Sequence, residues 1–160
     1  MRLALIGVGK LKAGPERDLF ERYFKRLSDL ARPLGFQGVD LRELDEGRSP
    51  RPADRQAEEA RAILVAIPKG ARLILLDERG EAMTSPQFAA DITRARDNAV
   101  SAYALVIGGA DGLAASLREN ADKVVSFGAM TWPHQLVRVM AAEQMYRALS
   151  IMAGHPYHRG

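Results

Sequence analysis

Apolar residues follow two alternating rhythms along this chain. Arg2–Val8 is a short, nearly continuous apolar run, the signature of a buried strand; beyond Gly9–Gly14, Leu19, Phe20, Tyr23, Phe24, Leu27 and Leu30 recur at helical spacing, with Pro15 suited to a helix start. Gly38–Leu44 reads as a second strand, followed by the polar loop Asp45–Pro52 and a helix from Ala53 to Ile67 that Pro68-Lys69-Gly70 ends. Arg72–Asp77 is a third strand. Thr84-Ser85-Pro86-Gln87 then supplies an N-cap, a first-turn proline and a capping-box glutamine for a helix to Asn98. Ala102–Ile107 is a fourth strand, Leu113–Asn120 a short helix and Lys123–Phe127 a fifth strand. Pro133 begins the final helix, which reaches Ala153 before Gly154 and Pro156 stop it.

Strands alternating with helices in this way predict an α/β fold: a single domain with a mostly parallel sheet and helices on both faces. Ligands of such sheets bind beyond the C-terminal strand ends, so the loops after Leu76, Ile107 and Phe127 are the places to look. Glu46–Pro52, polar and rich in Gly and Pro, is expected to be the mobile loop. The final helix is apolar nearly all round, from Leu136 to Met152. Such a helix must be buried on more than one side, and in so short a chain a two-fold homodimer interface is the economical explanation. Arg138, Glu143 and Arg147 are then either paired there or aimed at a site.

Composition narrows the chemistry. With 160 residues, 47% of them apolar, one core is expected. The absence of Cys excludes disulfides, thiolate chemistry and thiolate-bound metal centres, and points to the cytoplasm. No window approaches the roughly 18 uninterrupted apolar residues of a membrane span. A net charge of +3 leans only slightly toward a polyanionic partner.

Gly7-Val8-Gly9 imitates a dinucleotide fingerprint but has Lys12 where the third glycine belongs, so it reads as a turn requirement. No phosphate-cradling loop of the G-x-x-x-x-G-K-[ST] type and no nucleophile elbow occurs. Gly108-Gly109-Ala110-Asp111-Gly112 lets backbone approach a ligand, or simply makes a tight strand-to-helix turn, with Asp111 either a cap or a ligand. Phe127–His134 has the apolar surface and the small residues Gly128 and Ala129 to wrap an adenine-like ring, or packs as an ordinary loop. The end of the chain is unusual: His155-Pro156-Tyr157-His158-Arg159 sets imidazole, phenol and guanidinium side by side. It reads as a site, with a docked structural end as the alternative.

Jointly, Val106-Ile107-Gly108-Gly109 with Gly112-Leu113, the stretch Met130-Thr131-Trp132-Pro133-His134-Gln135 with Arg138-Val139 and Glu143–Ala148, and the ending Pro156-Tyr157-His158-Arg159 closely resemble the RlmH family, the minimal branch of the SPOUT superfamily. The resemblance covers essentially the whole chain. It implies a homodimeric, S-adenosylmethionine-dependent enzyme that methylates N3 of a pseudouridine in 23S rRNA, with the assembled ribosome as substrate, no metal, and a C-terminal trefoil knot. By the family pattern, cofactor contacts fall on Leu76, Gly108, Phe127, Gly128, Ala129, Met130, Thr131 and Trp132. Methyl transfer to a ring nitrogen needs alignment and a lost proton. That directs attention to the tail: His155 or His158 for proton transfer, Tyr157 for stacking on an extruded base, and Arg159, Arg147 or Arg138 for phosphate or the developing anion. A non-catalytic RNA-binding relative and an unknotted methyltransferase opening at Leu75-Leu76-Asp77 are the rival readings; Gly108-Gly109 with the Met130–Pro133 loop opposes the first, and the lack of a glycine-rich loop after the first strand opposes the second.

Overall fold

The computed structural model describes all of residues 1–160. Its elements are β1 (Arg2–Val8), α1 (Pro15–Ala31), β2 (Val39–Leu44), α2 (Pro52–Ala66), β3 (Arg72–Ala82), α3 (Ser85–Asp97), β4 (Ala102–Ile107), α4 (Ala115–Asn120), β5 (Lys123–Ser126) and α5 (His134–Met152). The five strands form one sheet in the order β2-β1-β4-β3-β5, and every neighbouring pair is parallel. Each central strand sends alternate side chains into two separate cores, as a two-residue period requires. Leu3, Leu5, Ile74, Leu76, Tyr103 and Leu105 meet α1, α3 and α5 on one face; Ala4, Ile6, Leu73, Leu75, Ala104 and Val106 meet α2 and α4 on the other.

Local chemistry sets the element ends. Thr84 Oγ1 accepts from Gln87 N (3.2 Å) while Thr84 N donates to the Gln87 side chain (2.8 Å), the reciprocal cap expected from the sequence. β3 departs from expectation by running on to Ala82. Val125 of β5 is paired first with Leu76 and again with Glu81, so residues 77–80 bulge around it. Gly80 is the condition for this path: a Cβ there would lie 2.6–2.7 Å from the backbone of Val124 and Val125. No periodicity in the sequence signals such a bight, because the residues within it face neither core.

The final helix is buried on more than one side, as its apolar pattern requires. α5 lies between α1 and α3, and Val139, Ala141, Ala142, Met145, Ala148 and Leu149 are buried by the chain's own elements. Its all-round apolarity therefore follows from having helices on both flanks and a sheet beneath it. Met145, fully buried in this way, needs no second subunit.

One polar group holds these layers in register. Asp91 of α3 is 2% exposed and accepts from Arg72 Nε and Nη2 on β3 (3.0 Å each), from the Tyr103 hydroxyl on β4 (2.9 Å) and from Arg94 (3.2 Å). Burial alone would raise the pKa of this carboxyl, but the hydrogen bonds from Arg72 and Tyr103 and the adjacent cations hold it below the usual aspartate range. A depressed carboxyl contributes stability above its unfolded-state pKa of about 3.9, and that contribution is lost as pH falls through the folded-state value. We expect Asp91→Asn to cost on the order of 2–3 kcal/mol in urea denaturation at pH 7, below the roughly 3–5 kcal/mol of a fully buried pair because Arg72 and Arg94 keep partial contact with water. The variant's stability should also fall less than that of the wild type between pH 5 and pH 3.

Candidate functional site

Because β4, β3 and β5 are neighbours, the loops that leave their C-terminal ends converge, as the parallel-sheet rule requires. They enclose a cavity of about 700 Å³, well within the size range of small-ligand sites. Leu76, Gly108, Phe127, Gly128, Met130, Thr131 and Trp132 line it; Ala129 does not. Met130 and Trp132 are exposed, so they form a wall and rim and not the core that a packed loop would have made of them. Gly128 has φ +116 and open space where a side chain would stand. The bight of β3 adds Asp77, Glu78 and Arg79, and α4 adds Arg118, which donates to Leu113 O (2.6 Å) and lies 3.5 Å from Asp77 Oδ2. These polar groups went unread in the sequence because the strand seemed to end at Asp77. His134, the first residue of α5, also lines the cavity.

The glycine-rich loop has a definite shape. Gly112 takes φ +79, and Gly109 and Gly112 form an isolated bridge. A Cβ on Gly108 would meet the Leu113 side chain at 2.9 Å and the Gly112 backbone at 3.1 Å, so this glycine serves the packing of its own loop as well as the cavity wall. Asp111 is neither a cap nor free for a ligand. Its carboxylate accepts from Arg55 Nε (2.8 Å) and Nη2 (3.1 Å), which hold its pKa down, and its carbonyl accepts from Gln56. Glu46–Pro52 is likewise fastened: Gly47 N donates to Glu59 (3.0 Å), Arg48 N and the Ser49 hydroxyl to Glu58, and Arg55 Nη1 to the carbonyls of Ser49 (3.1 Å) and Pro50 (2.9 Å). The composition that suggested mobility overlooked these carboxylate anchors, one helix turn away on α2.

Arg138 is paired within the chain and not aimed at a site. It is 2% exposed, donating from Nη1 to Glu43 (2.8 Å) and from Nη2 to Val8 O (3.0 Å), while Nε has no partner. Burial pushes its pKa down and Glu43 opposes the shift. Gly7 makes room for it, which explains half of the apparent fingerprint; Gly9, at φ +85, explains the other half as a turn.

The tail lies elsewhere. None of His155, Tyr157, His158 and Arg159 lines this cavity. The Tyr157 hydroxyl donates to Glu143 (2.9 Å), its ring packs 4.7 Å from that of Tyr146, and the Arg147 guanidinium sits 4.8 Å over its face. Arg147 also pairs with Glu143 and lies 3.3 Å from His158 Nδ1; His155 Nδ1 accepts from Tyr157 N (3.2 Å), and Arg159 is exposed. Burial and its bonds with Tyr23 and Glu143 push the Tyr157 phenol up. Tyr157, Glu143 and Arg147 line a second, more apolar cavity of about 710 Å³, which shares Leu76, Val125, Phe127 and Gly128 with the first.

Residues 1–158 match the family described as "Predicted SPOUT methyltransferase". The chain is 56% identical over 159 residues to ribosomal RNA large subunit methyltransferase H of Rhodopseudomonas palustris strain HaA2, covering 99% of each chain. It is 52% identical over 160 residues to the protein of the same name from Nitrobacter hamburgensis, covering both completely. Among solved structures, a probable methyltransferase from Bordetella pertussis Tohama I superposes with a TM-score of 0.50 at 14% identity, over 92% of this chain and 95% of that one, a likeness of fold.

The fit of Gly7 to Arg138 can be tested directly. A Cβ at position 7 would lie 2.5–2.8 Å from a guanidinium held on both sides. We expect Gly7→Ala to cost about 1–3 kcal/mol in chemical denaturation, the usual cost of overpacking. Combining it with Arg138→Met should cost less than the sum of the two single changes.

Proposed function

The chain belongs to the SPOUT methyltransferase family, in its ribosomal RNA large subunit methyltransferase H branch, and from that membership we propose that it methylates N3 of a pseudouridine in 23S rRNA of the assembled ribosome, using S-adenosylmethionine. In this reading residues 1–160 act as one SPOUT domain of a cytoplasmic homodimer with no metal requirement. The bight of residues 77–80 around Val125 is then part of a trefoil-knotted path. The observation that carries the reading is the cavity at the ends of β3, β4 and β5: its apolar wall of Leu76, Phe127, Met130 and Trp132, the space at Gly128 and the polar edge of Asp77 and Arg118 fit a nucleoside bearing a charged amino acid chain. When bound, the cofactor supplies an electrophilic methyl group. Leu76, Gly108, Phe127, Gly128, Ala129, Met130, Thr131 and Trp132 hold and orient it, Ala129 through the backbone path alone.

His155, Tyr157, His158 and Arg159 serve the RNA. Arg147, seated over the face of Tyr157, presents stacking and cationic surface to an extruded base and its phosphate, with Tyr157 backing it. In the docked tail Nδ1 of His155 accepts from the Tyr157 N–H and Nδ1 of His158 lies 3.3 Å from Arg147, which orients both rings. The tail's separation from its own chain's cavity, together with exposed Leu19, Met130, Trp132 and Leu136, supports a dimer in which one subunit's tail completes its partner's site.

The decisive experiment is labelled-methyl transfer to ribosomes from a strain lacking this protein, with the modified nucleotide identified by mass spectrometry. Methyl on N3 of a 23S pseudouridine is expected; a different base or no transfer overturns the proposal. Deleting residues 156–160 should abolish transfer while leaving S-adenosylmethionine affinity within about twofold of wild type, because the chain's own tail does not line the cavity and the partner's tail is read as meeting the RNA. Full activity of the truncated protein on ribosomes would return the tail to a structural role.

A further inference from the structure

The loop Gly108–Gly112 contains three glycines and an alanine, so its backbone has more conformations to lose than almost any other segment of this length. Asp111 is its one side chain able to anchor it. Both carboxylate oxygens of Asp111 are held by Arg55, and its carbonyl by Gln56. The remaining donor of Arg55, Nη1, goes to Ser49 O and Pro50 O of the Glu46–Pro52 loop. One guanidinium therefore spans two loops that share no other side-chain bond. Glu59, one turn further along α2, lies between the same two loops but bonds only one of them, its Oε2 having no partner. It is 5% exposed, with one oxygen bonded to Gly47 N and both oxygens 3.1–3.2 Å from where a Cβ on Gly109 would stand. Residues 55, 56 and 59 thus turn one face of α2 toward both loops.

We infer that Arg55 is a positioning residue: acting through Asp111, it holds the Gly108–Gly112 loop in the shape the cofactor needs and ties it to the Glu46–Pro52 loop. This rests on the proposed S-adenosylmethionine site. Arg55 lines neither cavity, so its effect on affinity passes through the loop. A ligand that binds one shape of a loop binds more weakly by the fraction of molecules holding that shape. Should release from Arg55 leave about a tenth of the molecules competent, the dissociation constant rises about tenfold. Lysine is a poor substitute, because one ammonium cannot reproduce a planar fork that meets a carboxylate and two carbonyls at once.

The test measures S-adenosylhomocysteine affinity by calorimetry, thermal midpoints, and amide hydrogen exchange of the ligand-free proteins, for wild type, Arg55→Ala, Arg55→Lys, Asp111→Ala and the double alanine variant. Each single alanine change should weaken binding about tenfold, and the double variant should be no weaker than the singles, since both remove the same bracket. Exchange should quicken at Gly109–Gly112 in both single variants, but at Ser49 and Arg51, beside the carbonyls that Arg55 holds, only in Arg55→Ala. Wild-type affinity in Arg55→Ala or Arg55→Lys, or additive losses in the double variant, overturns the inference. So does a collapse of the Arg55→Ala thermal midpoint in proportion to its affinity, which would mark a folding role shared by Asp111→Ala. Failure of the wild type itself to bind S-adenosylhomocysteine overturns the proposed cofactor site, and this inference with it.

Discussion

The contact on which the site depends is the close passage of β3 around β5. Strand pairing brings Val125 to Leu76, and the chain then returns so that Glu81 pairs with the same Val125. This is feasible only because Gly80 has no side chain to strike the Val124 and Val125 backbone. The bight does two things at once. It contributes Asp77, Glu78 and Arg79 to the rim of the first cavity, and it fixes where Phe127 and Gly128 emerge, as the partition between the two cavities. Moving β5 outward by even one side chain's thickness would pull the Phe127–Trp132 wall away from Leu76 and Gly108.

Much of this architecture was legible in the sequence because its determinants are local. Alternating strand and helix periods, the Thr84–Gln87 cap and the glycines after β4 are each readable within a few residues, and parallel order follows from the alternation itself. The strand-end loops followed from that order without reference to any relative. What escaped reading were long-range pairings between polar groups: Asp111 with Arg55, Glu43 with Arg138, and the carboxylates of α2 with the Glu46–Pro52 loop. Partners 10 to 95 residues apart leave no periodic trace, so a fastened loop looked mobile and an occupied aspartate looked available.

The final helix was legible in its burial but not in what covers it. Its apolar circumference does mean burial on several sides, but α1, α3 and the sheet provide most of it. The apolar surface it leaves open is a narrower stripe around Leu136 and the Met130–Trp132 loop, with half-buried Met140 nearby, beside the polar cluster of Glu143, Arg147 and Tyr157. That cluster holds the tail in a defined place on α5, so the last residues of the chain are docked and not a loose end.

The burial of Arg138 bears on how the molecule comes apart. Its guanidinium joins the first turns of α5 to the ends of β1 and β2, with one nitrogen already unpaired. Fraying that turn would strand Glu43 without its cation and leave a void against Gly7, so the helix start and the strand ends open as one cooperative unit and not separately. The Thr131–Pro133 segment runs directly into that turn. A cavity wall that would otherwise be a free-swinging loop is thereby clamped at its downstream end, and its opening is governed by the stability of the sheet itself.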